Sequence, residues 1–157
     1  MDLFSAAEKG DTERVIALLA ESRSSVNAHR ADGWTALHLA AYYGHAATAE
    51  VLLANGADVH LRSANTMNNT PIHAAAAGGH IAAISVLLAH GSDVNAAQHG
   101  GWTALHAAAA SGNTELMKLL LAHGGNPDLT SDDDRTSLSL AMEKNHSQIA
   151  DLLKLKF

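Results

Sequence analysis

The sequence contains no cysteine, which excludes disulfides, thiol catalysis and cysteine-based zinc sites. Aromatic residues make up only 4% of the chain, whereas apolar residues make up 47%. The core must therefore consist of Ala, Leu, Ile and Val, which suit thin and closely packed layers. No apolar run approaches the roughly 20 residues that cross a bilayer. Residues 1–5 lack the basic and apolar stretches of a secretory signal, so we expect a cytoplasmic protein that does not bind membranes.

Basic residues are also scarce. Ten Lys and Arg residues against 16 Asp and Glu residues give a net charge of −6 and a pI near 5.9. Such a chain is poorly suited to the polyanionic backbone of a nucleic acid. Its length of 157 residues predicts one domain.

A short sequence motif recurs along the chain. Gly33–His38 and Gly101–His106 have the same sequence. Asn69–His73 is a shorter copy of this motif, and Arg135–Ser139 is a less similar one. The threonines of the four copies stand at positions 35, 70, 103 and 136. Self-similarity at a spacing of 33 to 35 residues indicates a stack of small units. Stacks of this kind present an extended surface to other macromolecules.

Each unit contains the signals of two short helices. Thr35 can cap a helix that runs from Ala36 to Tyr43, and Gly44 can end it in the left-handed conformation. A second helix is predicted from about Ala46 to Ala54, before Gly56. Because helices of two or three turns are unstable alone in water, these helices must bury their leucines and alanines against the next unit.

The chain resembles the ankyrin-repeat proteins. The resemblance is carried by the Thr-Ala/Pro-Leu/Ile-His openings, the Ala-Ala pairs after them, Gly44-His45, Gly79-His80 and the Gly-x-Asp-Val segments. It implies an all-α repeat solenoid of helix-turn-helix units with short β-hairpin fingers. A single domain, 1–157, would hold five repeats at approximately 1–29, 30–61, 62–97, 98–130 and 131–157, of which the first and last are caps. It also implies a monomer that is not an enzyme, needs no cofactor and binds another protein.

Ankyrin proteins usually bind through their finger tips and the exposed face of their first helices. The matching positions give the predicted partner contacts: Asp32, Trp34, Tyr42, Tyr43, Met67, Asn69, His99, Trp102, Ser111, Asp133 and Arg135. They include every tryptophan and tyrosine of the chain, the residue types that dominate binding hot spots.

The aromatic residues allow more than one interpretation. Trp34 and Trp102 either anchor a partner or pack on neighbouring fingers. Tyr42 and Tyr43 favour recognition more strongly, because no other unit has an aromatic residue at these two positions. Between Arg62 and Lys118 the only charged residues are Asp93 and Glu115. We therefore expect a partner surface that is neutral at its centre, with basic groups that meet Asp32 on one side and residues 132–134 on the other.

Two alternatives concern the 11 histidines and the wider context of the chain. His38, His73 and His106 occupy the same position in successive units, roughly 8–10 Å apart by helix packing, whereas zinc needs its nitrogens at about 2 Å. We therefore expect no metal site. The resemblance to ankyrin repeats implies instead that these histidines form hydrogen bonds to the next unit. A small metal-dependent or catalytic protein that uses its histidines remains an alternative, as does a structural segment of a larger multidomain protein. Leu87 and residues 93–95 match a pattern typical of asparagine hydroxylation in ankyrin repeats, and Asn95 otherwise closes a turn.

Overall fold

The computed structural model describes residues 1–155. This part of the chain contains ten α-helices, one short 3-10 helix and no β-strand. The residues form two compact units, the first from Met1 to Asp93 and the second beginning at Val94.

The first unit consists of three helix pairs. Their bounds are α1 Leu3–Lys9 with α2 Thr12–Glu21, α3 Ala36–Tyr42 with α4 Ala46–Ala54, and α5 Pro71–Gly78 with α6 Ile81–Ala89. The first helices of the pairs pack on one another in the order α1, α3, α5, and the second helices in the order α2, α4, α6. The predicted bounds of α4 are confirmed, whereas α3 ends one residue earlier than predicted because Tyr43 is its C-cap.

The second unit consists of two helix pairs. Their bounds are α7 Ala104–Ser111 with α8 Thr114–Ala122, and α9 Ser137–Glu143 with α10 Ser147–Lys154, and a 3-10 turn at His99–Gly101 precedes α7. Leu105, Leu116 and Leu140 are fully buried in its core. None of the helices within residues 1–155 has the length and apolarity that a membrane span requires.

Small side chains allow the first helices to approach closely. Ala6 and Ala7 of α1, Ala40 and Ala41 of α3, and Ala75 of α5 are fully buried in the first unit. Larger side chains at these positions would force the helices apart, since protein interiors have few voids to absorb added volume. The low aromatic content of the sequence is therefore a packing requirement of this fold.

The loops before the first helices are tight turns. The backbone N–H of Arg30 donates to the carbonyl of Trp34 at 2.7 Å, and the N–H of Ser131 donates to the carbonyl of Arg135 at 2.9 Å. Within the first unit, the N–H of Ala64 donates to the carbonyl of Gly33 at 2.8 Å and so joins two neighbouring loops. The predicted hairpin fingers are present in this form, and their ladders are too short to count as strands in residues 1–155.

Two asparagines fix the turns that follow the second helices. The Asn27 amide donates to the Gly56 carbonyl at 3.0 Å, and its Oδ1 accepts from the N–H of Asp58 at 2.8 Å. Asn95 makes the same pair of bonds, to the carbonyl of Gly124 at 3.1 Å and from the N–H of Asn126 at 2.7 Å. The structure therefore gives Asn95 the turn-closing role.

Candidate functional site

Three aromatic side chains of the first unit form a continuous row, which we call the aromatic row: Trp34, Tyr42 and Tyr43. The rings of Trp34 and Tyr42 meet edge to face with their centroids 5.3 Å apart. The rings of Tyr42 and Tyr43 meet in the same way at 5.1 Å, with an angle of 87° between their planes. Edge-to-face contacts at these distances are favourable for aromatic pairs, so the three rings hold one another in place.

The aromatic row is open to solvent at the end of α3. Tyr42 is the last residue of the helix and Tyr43 is its C-cap, and their side chains are 38% and 45% exposed. Trp34 lies in the loop before the helix and is half-buried, with its ring centroid 5.9 Å from that of His38. The row therefore extends from the loop before α3 to the end of α3.

Charged side chains border the aromatic row. The guanidinium of Arg30 donates to Glu8 at 3.2 Å and to Asp32 at 2.6 Å. Oδ1 of Asp32 also accepts from the backbone N–H of Trp34 at 3.1 Å. We call the two carboxylates, Glu8 and Asp32, the acidic edge.

Neighbouring charges shift the pKa values of Asp32 and Tyr43. The Arg30 guanidinium lowers the pKa of Asp32 by hydrogen bonding to the carboxylate. Glu8 raises the pKa of Tyr43, because interaction with its carboxylate favours the protonated hydroxyl and its negative charge opposes a second one. The acidic edge therefore acts on the aromatic row at Tyr43.

His45 holds the Glu8 end of the acidic edge beside Tyr43. Nε2 of His45 lies 2.9 Å from the backbone carbonyl oxygen of Glu8, and the ring of His45 stacks on that of Tyr43 with centroids 6.4 Å apart. His45 follows Gly44, whose left-handed conformation ends the turn after α3. The end of α1 is thereby held beside the end of α3.

Sequence reasoning missed Glu8 and Arg30. The signal for Glu8 was present, because Glu8-Lys9 of the first repeat aligns with Tyr42-Tyr43 of the second, and aligned positions of neighbouring repeats lie side by side. Arg30 had no such signal, since it precedes the loop positions that the resemblance identifies.

The predicted contacts of the third repeat have different surroundings. Met67 is 45% exposed at the tip of its loop, and its backbone N–H donates to Asn65 at 3.0 Å. The amide of Asn65 donates in turn to the carbonyl of Asp32 at 3.0 Å, which places the loop beside the acidic edge. Asn69 is only 5% exposed and its N–H donates to Ser63 Oγ at 3.0 Å. The Asn69 side chain is therefore buried and not accessible to a partner.

The predicted contacts of the second unit form no comparable row in the described residues. Trp102 is half-buried and its ring lies 5.5 Å from that of His106. Arg135 donates to Asp133 at 2.8 Å and to Glu143 at 3.3 Å. The hydroxyl of Ser131 also donates to Asp133, and these two donors lower the pKa of the Asp133 carboxyl. His99 and Ser111 are exposed.

His38 and His106 of the repeated sequence motif connect successive helix pairs. Nε2 of His38 lies 3.0 Å from the carbonyl oxygen of Asn69, and Nε2 of His106 lies 2.9 Å from that of Arg135. Nδ1 of His38 lies 2.7 Å from Oγ1 of Thr35. The predicted structural role is confirmed for both histidines. Because both ring nitrogens already have partners, neither histidine offers a lone pair to a metal.

Burial lowers the pKa values of the same two histidines. It lowers the pKa of His38 from 6.5 to about 4 and lowers that of His106 as well. Both rings are therefore neutral at physiological pH. Residues 1–155 contain no cluster of three or more side chains able to hold a metal ion.

Comparisons with known proteins agree with the repeat structure. A family model described as Ankyrin repeats (3 copies) matches residues 3–98 and 95–156. A segment of 58 residues is 47% identical to Ankyrin repeat domain-containing protein 49 of Homo sapiens, and the same identity over the same length is found for the protein of that name from Bos taurus. The segment is 37% of this chain and 24% of each relative. The match thus spans about a quarter of the length of these relatives.

Proposed function

The chain belongs to the ankyrin-repeat family, and from this premise we propose that it is a non-enzymatic module that binds a partner protein through the aromatic row of its first unit. Ankyrin repeats generally mediate protein–protein interactions.

The observation that carries the proposal is the exposure of Tyr42 and Tyr43. The four other repeats have Glu8-Lys9, Ala77-Gly78, Ala110-Ser111 and Glu143-Lys144 at these positions. A repeat of this kind therefore folds without aromatic side chains there. Tyrosines that the fold does not require, held in place by neighbouring rings, suit a partner because they add contact area at a low cost in conformational entropy.

The other predicted contacts extend this proposal. Met67 would add an apolar contact beside Asp32, because its loop is hydrogen-bonded to the loop that carries Asp32. His99, Trp102, Ser111, Asp133 and Arg135 remain predicted contacts on the second unit. We also propose that the chain acts as a monomer in the cytoplasm.

The test compares the chain with its Tyr42→Ala, Tyr43→Ala double variant in affinity capture from a lysate. A protein captured by the unsubstituted chain is then purified and its affinity for both chains is measured. We expect more than about ten-fold weaker binding by the double variant, because truncating hot-spot aromatics costs at least that factor. Circular dichroism and the Tm establish that the double variant is folded.

Ile16→Ala is the matched control. Ile16 lies on α2 of the same unit and is 51% exposed, so the substitution removes exposed apolar area outside the aromatic row. We expect it to leave binding unchanged. Equal affinity of the folded double variant and the unsubstituted chain would refute the assignment of the site.

A further inference from the structure

We propose that the aromatic row and the acidic edge together recognise a basic side chain of the partner, an arginine or lysine that lies against the tyrosine rings beside Glu8. This inference rests on the proposed function, because it specifies the chemistry of the partner at the same site.

The two tyrosine rings provide a surface on which a cation can lie. The planes of Tyr42 and Tyr43 are almost perpendicular, so the two rings form a corner whose walls are both partly exposed. A cation within about 6 Å of a ring centroid is attracted by the negative face of the ring. An arginine or lysine side chain also packs its methylene groups on such a surface while its charged end stays near water.

The border of this corner carries a net negative charge. Two carboxylates, Glu8 and Asp32, share the single guanidinium of Arg30, so the network keeps one net negative charge. Glu8 is held beside Tyr43 by His45, which bonds to the Glu8 carbonyl oxygen at 2.9 Å and stacks on the tyrosine ring. A cation on the tyrosine rings would therefore meet both an aromatic face and an unneutralised carboxylate.

Acidic side chains also predominate over the whole first unit. Across residues 1–93, acidic side chains outnumber Lys and Arg by nine to five, so the field of this unit also favours a basic partner. Lys9 follows Glu8, but its exposed ammonium stays in water, and Arg30 is the cation that the two carboxylates bind. An acidic partner segment would meet repulsion at Glu8 and Asp32.

Selection from random peptides tests the inference. Phage-displayed random peptides are selected on the full chain, with an excess of the Tyr42→Ala, Tyr43→Ala variant in solution to remove peptides that bind elsewhere. We expect the selected peptides to share an arginine or lysine. Replacing that residue by neutral citrulline or norleucine in a synthetic peptide should weaken binding about ten-fold.

Variants of Glu8 provide the second measurement. Glu8→Gln should weaken binding of the same peptide about five-fold, the upper range for an exposed ion pair, and the difference should shrink at high salt. Glu8→Asp, which keeps the charge, should restore most of the affinity. Glu21→Gln makes the same change in net charge at an exposed position of α2 and should have no effect.

The outcomes separate this inference from the proposed function. Tyrosine-dependent peptides without a shared basic residue, or basic peptides that bind Glu8→Gln as tightly as the unsubstituted chain, would overturn the inference and leave the proposed function standing. The absence of any tyrosine-dependent peptide would overturn both.

Discussion

Nε2 of His38 lies 3.0 Å from the backbone carbonyl oxygen of Asn69, which is 31 positions further along the chain. His38 is fully buried and belongs to α3, whereas Asn69 ends the loop before α5. Nδ1 of the same ring contacts Thr35, the residue that caps α3. One side chain thus fixes the start of its own helix and the loop of the next helix pair.

His38→Ala should destabilise the first unit by about 2–4 kcal/mol, since it leaves a cavity and removes one of the two donors to the buried Asn69 carbonyl, which keeps the Ser63 N–H. Urea unfolding measures this in a Trp102→Phe background, in which Trp34 is the only tryptophan and reports on the first unit. His60→Ala is the control at an exposed position and should change the stability by less than about 0.5 kcal/mol. Equal effects of the two substitutions would contradict the structural role of His38.

The stability of the first unit should fall as the pH decreases from 6.5 to about 4. Burial lowers the pKa of folded His38 to about 4, against 6.5 in the absence of the fold. Between these values the unfolded chain binds a proton that the folded chain does not, so the stabilisation is complete above pH 6.5 and is lost on acidification. The loss should be about 3 kcal/mol. Urea unfolding at several pH values across this window measures it.

His38→Gln provides the control for this pH dependence. Glutamine keeps a side-chain donor but does not titrate, so the variant should lose most of the slope between pH 6.5 and 4. The Asp32 carboxyl, whose pKa is lowered by Arg30, is protonated only in still more acidic solution and acts outside the window. An unchanged slope in the variant would show that His38 is not the titrating group.

Gly44→Ala should destabilise the first unit more than Gly56→Ala. Both glycines have positive φ, 79° and 97°, so both substitutions carry the conformational cost of roughly 1–2 kcal/mol. An added Cβ at Gly44 would also lie 2.5 Å from Nδ1 of His80, whereas nothing lies within 4 Å of one at Gly56. We expect an additional loss of about 1–3 kcal/mol for Gly44→Ala, measured by thermal unfolding. Equal Tm values would show that the His80 ring moves aside freely.

The sequence predicted the elements whose signals are local. Thr35 and Gly44 lie at the start and end of α3 and act on their own neighbours in the chain, so the pattern placed this helix to within one residue. The hydrogen bond from His38 to the next helix pair was predicted from the resemblance to ankyrin repeats, and the structure confirms it. Capping signals such as those of Thr35 and Gly44 are visible in a single repeat.

The remaining features depend on contacts between residues far apart in the chain. Arg30 joins the site through bonds to Glu8 and Asp32, and side-chain geometry of this kind leaves no periodic trace in the sequence. Asn69 aligns with Trp34 and Trp102, which predicted an accessible side chain. The longer loop of its repeat instead folds back through the Ser63 hydrogen bond and buries it.

The effect of Glu8 on the pKa of Tyr43 can be tested without a partner. Tyr42 and Tyr43 are the only tyrosines of the chain, so Tyr42→Phe leaves Tyr43 as the single tyrosine. An absorbance titration in alkaline solution then reports the pKa of Tyr43 alone. It should exceed 10.0, the value for an unperturbed tyrosine, because Glu8 stabilises the protonated hydroxyl and repels the phenolate. Adding Glu8→Gln to this background removes the negative charge and should lower the Tyr43 pKa, whereas Glu21→Gln should leave it unchanged. If Glu8→Gln has no more effect than Glu21→Gln, the carboxylate does not face the tyrosine, and the aromatic row and the acidic edge do not act as one site.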